Sequence, residues 1–503
     1  MAELIAKTFQ GLEPLLAQEL TELGASEIQI GRRMVTFDGD KEMMYRANYF
    51  LRTAIRVLKP IKHFRAKSAD DVYEAVKAID WTEYLSTDTT FAVDSVVFSP
   101  EFHHSKFVAY KVKDAIADQF RERTGQRPNV SVSNPDIQLH IHISDYDATL
   151  ALDSSGESLH RRGYRTESVA APLNEVLAAG IILMTGWRGE KDFIDPFCGS
   201  GTLCIEAALI ARGIAPGLFR QSYAFERWPD FDSELFQHVS ADDSLEREFE
   251  HKIIGRDIDP KAVGIARRNV KAAGLSKDIT IEEADFKAVT LRDANAEPAI
   301  LVTNPPYGER ITSPDLMGLY KMIGQKLKRE FTGGEAYVLS YREECFEQIG
   351  LKPSLKTPLY NGSLECELRK YVLFNGRLDE HRAAGGTVKT DSERRQMAEK
   401  RRFKQHRDDF KGRSSEDRDD DDSAHRFNKY SRRDDRREGF GSKRFDRRDG
   451  EKRFDRRDGE KRFERREKKF ENRERRDDYR AHGKDRSERQ EARRKFFGGR
   501  DDD

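Results

Sequence analysis

Residues 192–211, "DFIDPFCGSGTLCIEAALIA", read as an apolar strand, a glycine-rich turn and a helix. Gly199 and Gly201 let the backbone pass close to a ligand where a Cβ would collide. The helix that follows offers unpaired N–H groups to polar ligand atoms. The turn departs from the dinucleotide fingerprint, having Gly-Ser-Gly in place of three spaced glycines, and no phosphate-loop lysine follows it. Many α/β enzymes carry such a first turn, so its meaning rests on the strands around it.

Three further strand ends follow in order. "HKIIGRDID" (251–259) ends in Asp257, whose carboxylate can accept both hydroxyls of a ribose. Asp259 competes for that role. "ITIEEADFKAV" (279–289) sets Asp285 after a strand-like run, where it can accept from an adenine amino group. A lone Asp at such a position is more often a helix cap or turn former, so the weight lies on the series. "LVTNPPYGERI" (301–311) leaves a fourth strand through Asn304-Pro305-Pro306-Tyr307. On that strand, Asn304 is expected at the carboxyl edge of the sheet, over the same crevice as Asp195, Asp257 and Asp285. An exocyclic base amine is a poor nucleophile because its lone pair is delocalised into the ring. The Asn304 side-chain oxygen and the Pro305 carbonyl can each accept one of its hydrogens and aim the nitrogen at an electrophile. The prolines fix that geometry in advance, and Tyr307 can stack on a base drawn out of its own stack.

Gly201 and Asp257 lie 56 residues apart, against about 20 in a compact unit, so 214–250 reads as an insertion. Strands alternate with helices over 190–375, the pattern of an α/β domain with a mostly parallel sheet. That domain closes on two strand-like runs around Asn361-Gly362, a strong hairpin signal. Upstream, "ELIAKTF", "LEPLLAQELTEL" and "IQIGRRMVTFDG" give a β-α-β rhythm and a small α+β layer. Residues 60–155 continue it through "DVYEAVKAI", "TTFAVDSVVF", a helix over 105–122, "DIQLHIHISD" and "DATLALDSS".

The 503 residues suggest about three domains. A net charge of zero hides a division near residue 380. From 381 onward, 43 basic and 32 acidic residues give +11, while 1–380 carries 47 and 58, or −11. An acidic body with a basic tail points to nucleic-acid contact. The tail repeats "RFDRRDGEK" at 444–452 and 453–461. It is too poor in apolar residues to offset its ordering entropy, so 379–503 is expected to be disordered. Cys198, Cys204, Cys345 and Cys366 show no paired metal-ligand spacing. No secretory start and no membrane-length run stand out. The expectation is a soluble, cytoplasmic protein with no metal and no membrane partner.

"DPFCGSGT", "GRDID", "EEADF" and "TNPPYGERI" together resemble the class I S-adenosylmethionine-dependent methyltransferases that act on amines. "SPEFHHSKFVAYKVKDAIAD", "RPNVSVSNPDIQLHIHI" and "SGESLHRRGYR" resemble a THUMP RNA-binding domain. The combined order, over roughly 1–375, is similar to bacterial 23S rRNA guanine-N2 methyltransferases of the RlmL type. The longest of these carry a second, C-terminal methyltransferase, where this chain has its charged tail. The resemblance implies an α/β protein with a ferredoxin-like piece (1–50), THUMP (45–155), a Rossmann-like methyltransferase domain (156–378) and the tail (379–503). It implies S-adenosylmethionine as cofactor, with Asp195, Gly199 and Gly201 around the methionine part and Phe197, Thr202 and Asn304 also among the cofactor-binding residues. Asp257 would hold the ribose, Asp285 the adenine, and Asn304, Pro305, Pro306 and Tyr307 the target amine. The densest basic positions of the acidic body, Lys106, Lys111, Lys113, Arg161, Arg162 and Arg165, are the expected RNA face.

The implied partner is 23S rRNA, with tRNA guanine-N2 methylation as the alternative. DNA adenine-N6 enzymes share the Asn-Pro-Pro-Tyr, but THUMP argues for RNA. Cytosine-C5 chemistry needs a cysteine nucleophile, and none stands between 300 and 315; Cys198 reads as packing under the turn. A non-catalytic RNA-binding ribosome-assembly factor is the rival from another class.

Overall fold

The computed structural model describes residues 1–288, 298–308 and 315–374, together with 376, 380, 383 and 387–389. The charged repeats, the disorder expected of the tail, and Glu309–Ile311 of the Asn-Pro-Pro-Tyr stretch lie outside the described residues.

Strands β1 (Ala2–Lys7), β2 (Ser26–Gly31), β3 (Met34–Gly39) and β4 (Arg56–Arg65) alternate with helices α1 (Glu13–Glu22) and α2 (Lys41–Phe50). Helix α3 (Ala69–Lys77), β5 (Thr90–Phe98), α4 (Ser105–Thr124), β6 (Asn129–Val130), β7 (Ile137–Ser144) and β8 (Asp147–Asp153) follow. All eight strands form one sheet in the order β2-β3-β1-β4-β8-β7-β5-β6. The two pieces divided near residue 50 in sequence are therefore joined by β1 pairing with β4, from Ile5↔Leu58 to Lys7↔Arg56. Local chemistry starts the helices here. Asp40 caps α2 by accepting from the Met43 N–H at 2.9 Å, and Ser68 with Asp71 forms a capping box on α3.

The second half comprises α5 (Glu175–Thr185), β9 (Phe193–Asp195), α6 (Thr202–Ala211), α7 (Ser233–Ala241), β10 (Ile253–Asp257), α8 (Pro260–Ala272) and β11 (Ile279–Glu283). It continues with β12 (Ile300–Thr303), α9 (Leu316–Glu330), β13 (Glu335–Ser340), α10 (Glu343–Ile349), β14 (Leu355–Asn361) and β15 (Leu364–Val372). Its sheet runs β11-β10-β9-β12-β13-β15-β14. Strands β9 to β13 pair in parallel, and β15 runs antiparallel to both β13 and β14. Gly362 and Ser363 turn the β14–β15 hairpin after the last pair Asn361↔Leu364, with Gly362 at φ +66° as the first turn position requires. Helix α6, apolar apart from Thr202 and Glu206, is buried along its whole length, as a helix with no polar stripe must be.

The 214–250 insertion has a structural job. It forms 3-10 turns at Pro216–Phe219 and Ala224–Arg227, then α7. Its Tyr223, Phe225, Trp228 and Phe236 enter the core of the first sheet with Tyr45 and Tyr49 of α2. Phe225 lies 4.5 Å from the Tyr45 ring, and the Asp232 N–H donates to the Tyr45 hydroxyl at 3.1 Å. The extra residues therefore fasten the α/β half to the N-terminal half. Among the described residues, no helix is long and apolar enough to cross a membrane.

Candidate active site

Strand β9 lies between β10 and β12, and all three run parallel. The chain builds outward from β9 through β10 to β11, then crosses back to β12 on the other side. A crevice opens outside the carboxyl ends where the order reverses. Asp195 ends β9, Asp257 ends β10, Asp285 follows β11 and Asn304 follows β12.

The glycine turn is bonded to that edge. Gly199 (φ +53°) and Gly201 (φ +82°) adopt the left-handed region, which glycine enters without steric cost. The Gly199 N–H donates to Asp257 Oδ2 at 3.0 Å. A Cβ on Gly201 would stand 3.3 Å from the Ala266 Cβ of α8. Asp195 is 1% exposed and accepts from Thr303 Oγ1 at 2.7 Å and from the Phe197 N–H at 3.2 Å. Burial pushes its carboxyl up to about 7; the two hydrogen bonds oppose the rise and the Asp257 charge adds to it. Burial also raises the Asp257 carboxyl, against bonds from the Asp259 and Gly199 N–H groups.

Asp259 is exposed and caps α8, accepting from the Lys261 N–H at 2.9 Å. Of the two rivals, Asp257 is the one bound to the glycine turn. Asp285 is exposed at the rim, where it accepts from the Lys287 N–H at 2.8 Å. Phe286 beside it turns inward against Phe197, ring centroids 5.6 Å apart. Cys198 is buried under the turn, as a packing residue would be.

Thr303 links the cradle to the Asn-Pro-Pro-Tyr turn, because its hydroxyl holds Asp195 and the next residue is Asn304. Pro305 is buried and Gly308 sits at φ +84°. The Tyr307 hydroxyl donates to Asn304 Oδ1. The Tyr307 ring packs edge-on against Tyr341 at 5.7 Å, and burial lifts its phenol well above the ordinary value. The amide oxygen assigned to a target amine is thus engaged by the motif's own tyrosine in this structure.

Other residues of the site carry no local signal in sequence. Asn269 of α8 donates to the Ser200 and Glu167 carbonyls at 3.0 Å and accepts from the Thr166 N–H at 2.9 Å, holding the connector under the turn. Ile258, between the two aspartates, is 67% exposed. It offers an apolar surface to a flat ring beside Asp257, and the apolar letter in "GRDID" was its only clue.

The expected RNA face does not survive as one surface. Lys106 and Arg161 are exposed. Lys111 pairs with Asp70 at 3.0 Å, Lys113 with Asp114 at 2.8 Å, and Arg161 with Glu157 at 2.7 Å. Arg162 is 2% exposed, faces the fully buried Glu206 at 3.5 Å and donates to the Leu159 carbonyl at 2.9 Å. Arg165 donates to Glu175 at 2.7 Å, Ser200 at 2.8 Å and Thr202 at 2.9 Å. Both arginines anchor the connector inside the fold, because a buried guanidinium needs its donors satisfied, and neither can serve as an RNA surface. Among the described residues no group of His, Cys, Asp and Glu could hold a metal.

Three family profiles match consecutive parts of the chain: the RlmL ferredoxin-like domain at 3–58, the THUMP domain at 66–153 and the RMKL-like methyltransferase domain at 162–370. A protein of Synechocystis sp. named "Putative RNA methyltransferase" is 39% identical over 372 residues, covering 73% of this chain and 96% of its own. The chain belongs to the RMKL-like methyltransferase family. The "Ribosomal RNA large subunit methyltransferase K/L" of Syntrophotalea carbinolica is 43% identical over 379 residues, 73% of this chain and 53% of the relative. The chain therefore spans about half the length of the K/L relatives it matches. Among solved structures, "SMU.472, a putative methyltransferase complexed with SAH" superposes with a TM-score of 0.67 at 30% identity, over 75% of this chain and 99% of that one.

Proposed function

We propose that this chain is an S-adenosylmethionine-dependent RNA methyltransferase that modifies an exocyclic base amine, guanine N2 of 23S rRNA. The observation that carries the reading is the Thr303–Asp195 bond, which leaves Asn304 one residue from the cradle. The residues present fit the cofactor: a carboxylate on β10 for the ribose diol, Ile258 for the adenine face, and glycines where a chain must approach closely. The SAH of the solved relative supports the same assignment. When bound, the cofactor supplies an electrophilic methyl group. The protein's part is to orient the nucleophile. Asn304 Oδ1 exchanges the Tyr307 hydroxyl for one amine hydrogen, and the Pro305 carbonyl accepts the other, so the nitrogen lone pair points into the crevice. The THUMP domain and the RNA relatives favour RNA over DNA.

Mass spectrometry of rRNA and tRNA nucleosides from a strain lacking the protein tests the reading. Loss of N2-methylguanosine from 23S rRNA is expected. Loss from tRNA alone would transfer the activity to the tRNA alternative, and an unchanged nucleoside profile would sink the enzyme reading.

Asp257→Ala should raise the S-adenosylmethionine Kd at least tenfold, since a hydrogen bond to a charged group contributes about 1.5–3 kcal/mol. Asp259→Ala should leave the Kd alone and cost about 1 kcal/mol of stability through the lost α8 cap. Calorimetric titration of both variants, beside denaturant melts, separates the roles; an unchanged Kd in Asp257→Ala would move the ribose to Asp259.

A further inference from the structure

One face of the eight-stranded sheet carries a cluster of basic side chains that the site above does not use: two cations beside two imidazoles. Burial, with the Lys7 charge, keeps these imidazoles neutral, pushing His140 down to about 3 and His142 down to about 4. Side chains alternate across a strand. Leu4 and Ala6 of β1, Val57 of β4, and Leu139, Ile141 and Ile143 of β7 enter the core under the helices. Lys7, Arg56, His140 and His142 therefore occupy the opposite face, with a small apolar floor of Ile5, Leu58 and Ala151. Lys7 stands directly opposite Arg56 in the β1–β4 register, an arrangement of like charges that destabilises a sheet. Arg56 is compensated by Asp153 and by the Gly156 carbonyl at 2.7 Å. Lys7 has no ion-pair or hydrogen-bond partner for its ammonium among the described residues, and burial followed by the nearby Arg33 charge lowers its pKa. His140 is 8% exposed and its Nε2 has no hydrogen-bond partner. Beside it, His142 lies 6.2 Å from the ring of Phe98, which is 65% exposed.

The position of the cluster gives it a use. Beyond Lys7 the chain runs to Gly11, where a Cβ would stand 3.1 Å from the Pro358 carbonyl of β14. Strand β14 ends at Asn361, whose side chain hydrogen-bonds the Tyr307 phenol. The segment that leaves β1 after Lys7 thus reaches the strand whose end touches Tyr307 of the Asn-Pro-Pro-Tyr turn. An anion seated among these groups would relieve the Lys7–Arg56 repulsion and give the buried imidazole a partner. Exposed Phe98 adds a stacking surface that suits an unpaired base better than an acidic peptide.

We propose that Lys7, Arg33, Arg56, His140 and His142 form a phosphate site that holds an unpaired RNA strand on this sheet face, on its way to the Asn304 turn. The inference rests on the RNA reading above and adds a surface to it. The test uses the full chain, a fluorescently labelled single-stranded oligouridylate and a salt series. A Lys7→Met, Arg33→Met double variant should bind the oligonucleotide about tenfold more weakly at low salt. Its slope of log K against log [salt] should be shallower by about 1.4, at roughly 0.7 per phosphate contact on single strands. Its melting temperature should not fall, because like charges have been removed, and its S-adenosylmethionine Kd should not change. Identical affinity and slope would overturn the proposal. Tighter RNA binding by the variant would also overturn it, and would assign the face to an acidic stretch of this chain. If the unaltered protein neither binds the oligonucleotide nor methylates RNA, the RNA reading falls and takes this inference with it.

Discussion

Asn304→Ala is expected to lower kcat by on the order of a thousandfold, the scale of loss when one preorganised polar group aimed at a reacting centre is removed. The cofactor Kd should stay nearly unchanged. The proposed mechanism assigns Asn304 to the amine, and the ribose and methionine to Asp257 and to the turn around Asp195 and Gly199. The turn itself should keep its shape, because Pro305 and Pro306 restrict the backbone whatever precedes them. The Tyr307 hydroxyl loses its acceptor, so a small stability loss of about 1 kcal/mol accompanies the catalytic one. Single-turnover transfer to saturating RNA, run beside calorimetric titration of S-adenosylmethionine, reads the two effects separately. Near-normal turnover would refute the role given to the amide. A matched loss of cofactor affinity would move Asn304 into the cradle.

Arg162→Ala should cost about 3–5 kcal/mol of stability, the usual penalty for removing one partner of a buried ion pair. Glu206 is fully buried; Arg162 faces it as an ion pair at 3.5 Å, and the Tyr164 hydroxyl donates to it at 2.9 Å. Burial already raises its carboxyl pKa, with the Arg162 charge first among the opposing effects, so losing the arginine favours the protonated acid. Adding Glu206→Gln should recover part of the loss, because the two residues act as one unit and their effects are not additive. Urea melts of the two single variants and the double variant give the coupling directly. RNA affinity of the folded fraction should be unchanged. Weaker RNA binding at full stability would return Arg162 to the surface role suggested by its basic neighbours in sequence.

That reversal shows where sequence reading stops. "SLHRRGYR" presents three arginines in a short stretch, and nothing local separates a solvated one from a buried one. The separation comes from Glu175 on α5 and Glu206 on α6, which meet Arg165 and Arg162 only after the helices pack. The same limit explains the insertion. Its length was legible from the 56-residue gap between Gly201 and Asp257, while its docking on Tyr45 and Tyr49 depends on aromatic contacts across some 180 residues of chain. The divided N-terminal half is a third case, since β1 and β4 pair strand to strand with no sequence signal for their register.

What the sequence determined by itself was everything set by short-range chemistry. Strand periodicity, left-handed glycines, the Asn-Gly hairpin and polar residues at successive strand ends fixed the α/β architecture and the order Asp195, Asp257, Asp285, Asn304 along one edge. These signals survive folding because each depends on a few neighbouring backbone torsions. Tertiary structure alone decided which polar groups are buried and with whom. It bound Asp257 to Gly199, turned Asp259 into a helix cap, drew Arg162 and Arg165 inside, and set Lys7 opposite Arg56. Burial and pairing are properties of the space between elements, and a charge acquires its cost or its role only when that space closes around it.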